Sequence, residues 1–374
     1  MISIYENAFS RVKSFVRKNI VLVIATVCAL ITSFIIKPDK EYLSYFDVKT
    51  LMCLFCVLAV VCALKNINFF LILAHKIVRL FKNTRAGIIA LVYITFIGSM
   101  LIANDMALLT FLPLGYLVLS TTGKEKYMAF TFIMQNIAAN LGGMLTPFGN
   151  PQNLYLYTKF EIGNLEFIQI MIIPFLLAIF MITTLCFIVV KPEPFEIASE
   201  EISMDKKKGI LYVVLFALAI AIVFRGINFW WGLVIPAVLL IVDRKALKMV
   251  DYPLLLTFVA FFVFSGNMSR IDAVRDLFSM LLEKSTLIFS VLSCQVISNV
   301  PTAILLSQFT NNYHELLIGV NIGGVGTIIA SLASLITLRE FQKHYPKKLK
   351  SYFVEFSGIN FAFLFILTVS ALFY

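Results

Sequence analysis

Apolar stretches of the length needed to cross a bilayer recur along the whole chain. A transmembrane helix needs roughly 20 mainly apolar residues. The mean hydropathy is +0.92 and 60% of the 374 residues are apolar, against about 45–50% in soluble domains. The sequence therefore predicts an all-α polytopic membrane protein and excludes an ordinary soluble enzyme. About nine spanning helices are expected, at 19–36, 48–64, 127–158, 166–190, 209–224, 228–242, 252–265, 312–338 and 352–373.

Two further apolar stretches, 86–120 and 286–310, are interrupted near their middle by polar residues. The interrupting residues are Asn104 and Asp105 in the first, and Ser298, Asn299 and Pro301 in the second. Each stretch could be one span or a re-entrant hairpin. If both stretches are hairpins and the N-terminus is inside, 23 of the 31 Lys and Arg residues lie on the cytoplasmic side. If both are single spans, 19 lie there. Because cytoplasmic loops carry the excess of basic residues, we predict two hairpins and a cytoplasmic N-terminus in the plasma membrane.

The chain contains an internal repeat. The pattern N-x-G-G-x-x-T occurs at 140–146 and again at 321–327, and the two halves share one order of segments in opposite predicted orientation. Inverted repeats with interrupted helices are typical of secondary transporters whose site lies near the bilayer midplane. The expected units are a first repeat, 1–190, with a hairpin at 86–120 and an interrupted helix at 127–158; a cytoplasmic linker, 191–208; and a second repeat, 209–374, with a hairpin at 286–310 and an interrupted helix at 312–338.

Polar residues inside the predicted membrane region indicate the site. Asp105 is the only one of the 21 acidic residues expected deep in the membrane, where it could ligate a cation, carry a proton, or cap the second arm of the hairpin. The Gly- and Pro-rich segment 140–153 could be an ordinary loop, but its counterpart 321–334 is apolar enough to lie in the membrane. With no Lys or Arg expected at the midplane, an anion would be held by amides, hydroxyls, backbone N–H groups, helix dipoles or a co-bound cation.

These considerations give two overlapping sets of candidate residues. The predicted substrate ligands are Asn104, Asp105, Thr146, Pro147, Ser298, Asn299, Thr302, Thr327 and Ser331. The predicted cation ligands are Asn104, Asp105, Asn140, Gly142, Gly143, Asn150, Asn299, Asn321, Gly323 and Gly324.

Enzymatic function is not expected. The sequence has no phosphate-binding P-loop, no G-x-S-x-G elbow and no H-E-x-x-H motif. We therefore expect no catalytic residues, no cofactor and no metal other than Na+, with Na+ or H+ as the coupling ion. The net charge of +10 lies in short loops and reports orientation in the lipid bilayer, so no nucleic-acid partner is expected.

Residues 103–113, 142–153, 298–301 and 321–324 resemble the motifs of the ion transporter superfamily, which includes citrate-transporter-like permeases, divalent anion/sodium symporters, arsenite permeases and sodium/proton antiporters. The resemblance implies a homodimer in which a mobile transport domain moves like an elevator against a scaffold. In the divalent anion symporters each hairpin tip carries Ser-Asn-Thr. Here the tips are 103–105, Ala-Asn-Asp, and 298–300, Ser-Asn-Val, so only the Asn is kept in both.

The leading interpretation is a secondary active transporter that moves a small organic anion, a di- or tricarboxylate such as succinate, malate or citrate, coupled to Na+ or H+ by an elevator mechanism. The alternative is a cation/proton antiporter or an oxyanion (arsenite-like) efflux permease that uses Asp105. An acid at the first tip makes proton coupling or antiport more plausible than in the symporters.

Overall fold

A computed structural model describes residue 16 and residues 19–194 and 205–374. Within these ranges the protein is helical, without a β-strand, and one isolated β-bridge joins Asn83 to Pro194. The helices of the first described range are α1 (Ile20–Ile35), α2 (Val48–Asn66), α3 (Phe69–Val78), α4 (Thr84–Ile102), α5 (Asn104–Thr121), α6 (Met128–Gly142), α7 (Pro151–Lys159) and α8 (Asn164–Val189).

Ten helices follow in the second described range. They are α9 (Lys206–Val223), α10 (Val234–Val242), α11 (Arg244–Lys248), α12 (Tyr252–Ser269), α13 (Asp272–Lys284), α14 (Thr286–Ile297), α15 (Asn299–Leu306), α16 (Tyr313–Ile322), α17 (Leu332–His344) and α18 (Leu349–Ala371). Several begin where a polar residue precedes an apolar run. The side chains of Asp47, Asn83 and Ser285, for example, accept hydrogen bonds from backbone N–H groups in the first turns of α2, α4 and α14, contacts that each stabilise a helix by about 1 kcal/mol.

Five helices of the described residues are long and apolar enough to cross a membrane. They are α2, α4, α8, α12 and Pro346–Ala371, which includes α18. A sixth would be the pair α13 and α14 if it formed one span, but the two helices meet at a bend of 119°. The prediction of a polytopic, all-helical membrane protein is confirmed. The figure of nine spans stays a prediction, because several of the other segments are shorter or interrupted, such as α1 with 16 residues.

The two stretches predicted as hairpins are each divided into two helices. The first hairpin consists of α4 and α5 with Ala103 between them, and the second consists of α14 and α15 with Ser298 between them. The two arms pack against each other in both cases. The amphipathic helices α3 and α13 precede the first and second hairpin, respectively.

The two predicted interrupted helices are also interrupted in the structure. The first consists of α6 and α7, separated by residues 143–150, and the second consists of α16 and α17, separated by residues 323–331. Each hairpin packs against the interrupted helix of the other half, since α5 contacts α17 and α15 contacts α7. This cross-packing brings together four chain breaks that are far apart in the sequence.

The remaining helices surround this assembly. The helix α1 packs along α12, and α2 packs against α9, α10 and α11. The end of α9 reaches α7, where the guanidinium group of Arg225 donates hydrogen bonds to the backbone carbonyls of Tyr157 (2.6 Å) and Glu161 (3.1 Å) and lies over the Tyr157 ring.

The predicted linker, 191–208, falls largely outside the described residues, which omit 195–204. Its first residues are tied to the base of the first hairpin. The carboxylate of Glu193 accepts hydrogen bonds from Lys124 (2.7 Å) and Lys126 (2.5 Å), and its backbone carbonyl accepts one from the Thr84 N–H at 2.8 Å. This contact, which we call the hairpin clasp, holds residues 191–194 against the start of α4 and against the segment that follows α5.

Candidate functional site

The tips of the two hairpins have the same backbone conformation. Ala103 has φ 65° and ψ 148°, and Ser298 has φ 75° and ψ 157°. A positive φ at a residue other than glycine costs of order 1–3 kcal/mol and is found mostly at functional sites. The next residue in each case is an asparagine, whose Oδ1 accepts a hydrogen bond from the following N–H, at 3.0 Å for Asn104 and 2.9 Å for Asn299.

Buried asparagines connect the first hairpin to both interrupted helices. Asn104 Nδ2 donates to Asn140 Oδ1 at 3.2 Å, and Asn150 Nδ2 donates to the Asn140 carbonyl at 3.1 Å and to Asn321 Oδ1 at 3.3 Å. All four residues are at most 4% exposed. The structure thus brings together predicted residues separated by up to 217 positions in the sequence. We call these four residues, with Asn299, the amide cluster.

The second hairpin tip reaches the cluster beside Gly324. A Cβ atom placed on Gly324 would lie 3.1 Å from Asn299 Nδ2 and 3.5 Å from Asn140 Oδ1, so the two amides flank this glycine. The tip is held by the carbonyl of Ala330, which accepts hydrogen bonds from the Asn299 N–H (2.9 Å) and the Ser298 hydroxyl (3.2 Å).

Two residues at the start of α7 form hydrogen bonds with the amide cluster but are absent from the predicted ligands. Asn321 Nδ2 donates to Asn153 Oδ1 at 2.6 Å, and Gln152 Nε2 donates to Asn321 Oδ1 at 3.4 Å. Asn153 Nδ2 also donates to the Gly143 carbonyl at 3.1 Å. Both residues lie within the Gly- and Pro-rich segment 140–153, so the sequence carried a signal for them.

A second polar group extends from Asn140 towards α17. Asn140 Nδ2 donates to the carbonyl of Asn136 at 3.1 Å, and Asn136 Nδ2 donates to Ser334 Oγ at 3.3 Å. Ser334 shares a hydrogen bond of 3.0 Å with the predicted residue Ser331. Asn136 lies four residues before Asn140, on the same face of α6, and this spacing could have indicated it.

The first glycine of each N-x-G-G pattern allows a close approach to a hairpin. A Cβ atom on Gly142 would lie 2.2 Å from the carbonyl oxygen of Phe96, and one on Gly323 would lie 2.7 Å from Cys294 Cβ. The carbonyl of Gly323 accepts a hydrogen bond from Gln295 Nε2 at 2.9 Å. The glycines therefore have a packing role beside the cation ligation predicted for them.

The threonines predicted as substrate ligands hold the chain breaks in place. The hydroxyl groups of Thr146, Thr327 and Thr302 donate to the backbone carbonyls of Met100 (2.7 Å), Gln295 (3.0 Å) and Ser298 (2.7 Å), respectively. Each oxygen keeps an acceptor lone pair for a ligand. Pro147 is buried in the turn that follows Thr146.

Four helix N-termini converge on the amide cluster. The helices α5 and α15 begin at Asn104 and Asn299, α7 begins directly after Asn150, and α17 begins directly after Ser331. Each N-terminus carries about half a positive charge and favours an anion. The C-terminal ends of α6 and α16 lie at the same breaks and present carbonyl groups, which favour a cation. In the described part of the chain, no Lys or Arg side chain forms a hydrogen bond with an amide of the cluster.

Three side-chain oxygens at the site are buried without a hydrogen-bond partner among the described residues. They are Asp105 Oδ1, Asn150 Oδ1 and Gln152 Oε1. An unsatisfied buried acceptor costs about 1–3 kcal/mol, and a bound cation would relieve this cost because carboxylate and amide oxygens are ligands of hard cations.

Comparison with known proteins identifies the family. The family profile described as "Citrate transporter" matches residues 8–314. The chain belongs to the citrate transporter family. The match includes both hairpins and the first interrupted helix of this transporter, and it ends within the second interrupted helix at the start of α16.

Two curated relatives cover most of the transporter. The uncharacterized transporter MJ0456 of Methanocaldococcus jannaschii is 37% identical over 311 residues, which are 82% of this chain and 84% of the relative. The inner membrane protein YbiR of Escherichia coli is 28% identical over 317 residues, 82% of this chain and 83% of the relative. The predicted resemblance to citrate-transporter-like permeases is confirmed, and the protein is a membrane transporter.

Proposed function

We propose that the transporter moves a small organic anion, a di- or tricarboxylate such as succinate, malate or citrate, across the plasma membrane together with Na+ or H+. The observation that carries this proposal is the convergence of four helix N-termini on the amide cluster. Helix N-termini and amide N–H groups stabilise carboxylates. Because no basic side chain bonds to the cluster within the described ranges, a co-transported cation would balance the substrate charge.

The unpartnered oxygens of Asp105, Asn150 and Gln152 supply the ligands for that cation. Na+ is a hard cation that prefers oxygen ligands, and these three oxygens lie at the breaks between α4 and α5 and between α6 and α7. Binding of the cation would place a positive charge beside the helix N-termini and raise the affinity for the anion. This arrangement supports coupled binding, in which each ligand strengthens the other.

Transport itself would follow the elevator mechanism of a homodimer. In this proposal α4–α8 and α14–α18 move as one body, because they enclose the amide cluster, and α1, α2, α9, α10 and α12 form the scaffold. The contacts of α7 with α2 and of α15 with α12 would be those that slide.

Uptake by reconstituted protein tests the proposal. Proteoliposomes with an imposed Na+ or H+ gradient would be offered labelled succinate, malate and citrate, and at least one should accumulate under one gradient. Asn104→Ala and Asn299→Ala should each abolish uptake, whereas Asn311→Ala, on an exposed loop, should retain it. No uptake of any carboxylate by folded protein, or full uptake by both cluster variants, would refute the proposal.

One observation favours a second candidate function, cation/proton antiport or oxyanion efflux. Asp105 Oδ1 is buried without a partner among the described residues, and a carboxylate in the membrane is most often functional. An antiporter would collapse a preset pH gradient when Na+ is added, and Asp105→Asn would abolish this response. Export of arsenite from loaded vesicles, lost in the same variant, would indicate oxyanion efflux.

A further inference from the structure

The helix α3 is too short to cross a membrane. Its ten residues extend over about 15 Å, whereas the hydrocarbon core of a bilayer is roughly 30 Å thick. The helices before and after it, α2 and α4, are both long and apolar enough to cross, and α3 packs against both. The connection formed by α3 therefore lies at one face of the membrane, the face predicted to be cytoplasmic.

The helix α3 is amphipathic, with one face packed on the protein and the other exposed. The packed face consists of Phe70, Ala74, His75 and Val78. On the exposed face, Leu73 has 51% of its surface accessible, and Leu80, in the turn after the helix, has 76%. Large apolar side chains on the exposed face of such a helix are typical of insertion into the lipid surface.

Three exposed basic residues lie beside these leucines. Lys76 and Arg79 follow Leu73 at intervals of three residues, a spacing that keeps side chains on one side of a helix, and Lys82 lies just beyond the turn. We call Lys76, Arg79 and Lys82 the basic edge. None of the three forms an ion pair or a side-chain hydrogen bond with a described residue. The next basic residue, Arg85, is occupied, since it donates to the Val190 carbonyl at 2.7 Å.

The helices packed around α3 contain a single acidic residue. Residues 48–104 include no Asp or Glu, so α2, α3 and α4 have none. The helix α5, which also contacts α3, contains only Asp105, at the hairpin tip. Glu193, whose backbone bonds to the start of α4, is already paired with Lys124 and Lys126. The described residues therefore leave three positive charges beside exposed leucines without a counter-charge.

The corresponding helix of the second half has a different charge. The helix α13 also precedes a hairpin and also exposes apolar side chains, those of Leu277 and Met280. Its charged residues are Asp272, Asp276 and Glu283 with Arg275 and Lys284. Arg275 is paired with Asp272 at 2.7 Å. The shared amphipathic pattern accounts for a surface location of both helices, but of the two only α3 has an unpaired basic edge.

We propose that the basic edge of α3 binds the phosphate groups of anionic phospholipids, with Leu73 and Leu80 inserted among the lipids beside them. Anionic lipids give the cytoplasmic leaflet a negative surface potential, which attracts Lys and Arg residues of helices at its surface. A lipid fits better than a soluble phosphate compound, because the cations and the exposed leucines share one face. Since α3 joins α2 of the proposed scaffold to α4 of the proposed moving body, the bound lipid would hold this junction at the membrane surface.

Lipid retention by the full-length protein provides the test, and it does not depend on transport. Purified protein would be incubated with equal amounts of phosphatidylglycerol, which is anionic, and phosphatidylcholine, which is zwitterionic, and the retained lipids counted by native mass spectrometry. Wild type should prefer the anionic lipid. Each basic residue near an anionic surface strengthens binding by roughly fivefold, so replacement of the whole basic edge by glutamine should reduce the preference by roughly tenfold or more. The preference should also fall in about 1 M salt, which screens charges beyond about 3 Å.

Two matched variants separate local binding from net charge. Replacement of Lys37, Lys40 and Lys284 by glutamine removes three exposed lysines of the predicted outer face and should leave the preference unchanged. Exchange of Lys for Arg and of Arg for Lys along the basic edge keeps the charge and should also retain the preference. All these variants should unfold at the wild-type midpoint in detergent without added lipid, because the replaced side chains are exposed.

Several outcomes would overturn the proposal. Equal retention of the two lipids by wild type, or an undiminished preference in the glutamine variant of the basic edge, would do so. Displacement of the anionic lipid by millimolar inorganic phosphate would assign the basic edge to a soluble anion instead. A preference that arises only after Glu196, Glu200 and Glu201 are replaced by glutamine would assign it to this acidic segment of the chain. Preferential lipid retention without any carboxylate uptake would support lipid binding and refute the proposed transport function.

Discussion

Substitution of Gly142 by alanine tests how the first hairpin is positioned against the amide cluster. The new methyl group would lie 2.2 Å from the carbonyl oxygen of Phe96 and 2.6 Å from Ser99 Oγ, so α4 and α6 would have to move apart. Such overpacking costs about 1–3 kcal/mol, here towards the upper end because a backbone carbonyl cannot rotate away. The gain in helix propensity returns about 1 kcal/mol, which leaves a net loss of about 2 kcal/mol.

The matched control is Gly358→Ala in α18. Apart from its two neighbours and the backbone of its own helix, no part of the protein lies within 4 Å of a Cβ placed on Gly358, so this variant gains helix propensity without a clash. Thermal unfolding of both variants in detergent should give a lower midpoint than wild type for Gly142→Ala and an equal or higher one for Gly358→Ala. Gly142→Ala should also reduce uptake, since Asn140 lies two residues away. A midpoint for Gly142→Ala at or above that of wild type would refute the close approach.

Two further predictions concern contacts outside the amide cluster. Hydrogen bonds from Lys124 and Lys126 lower the pKa of Glu193 to about 2 from its usual 4.5; because the folded-state pKa is the lower one, the stabilisation is fully present above about pH 4.5 and is lost as pH falls towards 2. Glu193→Gln should therefore lower the unfolding midpoint at pH 7, and the difference from wild type should shrink below pH 4.5. Arg225→Met removes the hydrogen bonds to carbonyls at the end of α7, including that of Tyr157, and should lower the midpoint and alter the transport rate.

Each of these two predictions has its own control and its own contrary outcome. Glu283→Gln removes a carboxylate that forms no ion pair with a described residue, and Arg79→Met removes an exposed guanidinium group. Neither control should change the midpoint. A Glu193→Gln effect that persists unchanged to pH 3 would contradict the role of the ion pairs in the hairpin clasp. An Arg225→Met protein that melts and transports like wild type would show that the contact between α9 and α7 is dispensable.

Local sequence signals predicted much of the fold. Apolar runs predicted the membrane-spanning helices. Each segment that lies in lipid must itself be apolar and must satisfy its own backbone hydrogen bonds, so the signal is present in each run separately. Polar residues inside such runs located both hairpin tips, and the segments 140–153 and 321–334 located both interruptions, because Gly and Pro disfavour a continuous helix within a few residues. The repeated N-x-G-G pattern and the tip motifs also indicated the family.

The contacts within the site were decided only by the tertiary structure. Sequence patterns placed Asn104, Asn140 and Asn321 in the membrane, but the packing of each hairpin on the interrupted helix of its own half, and of the two interrupted helices on each other, determines which amides meet. The same packing adds Gln152 and Asn153 to the site and makes Gly142 a position of close approach. These features depend on the direction of side chains from residues far apart in the sequence, such as Asn150 and Asn321, which are 171 positions apart. Hydropathy and local propensity, which act over one or two helical turns, contain no information about such distances.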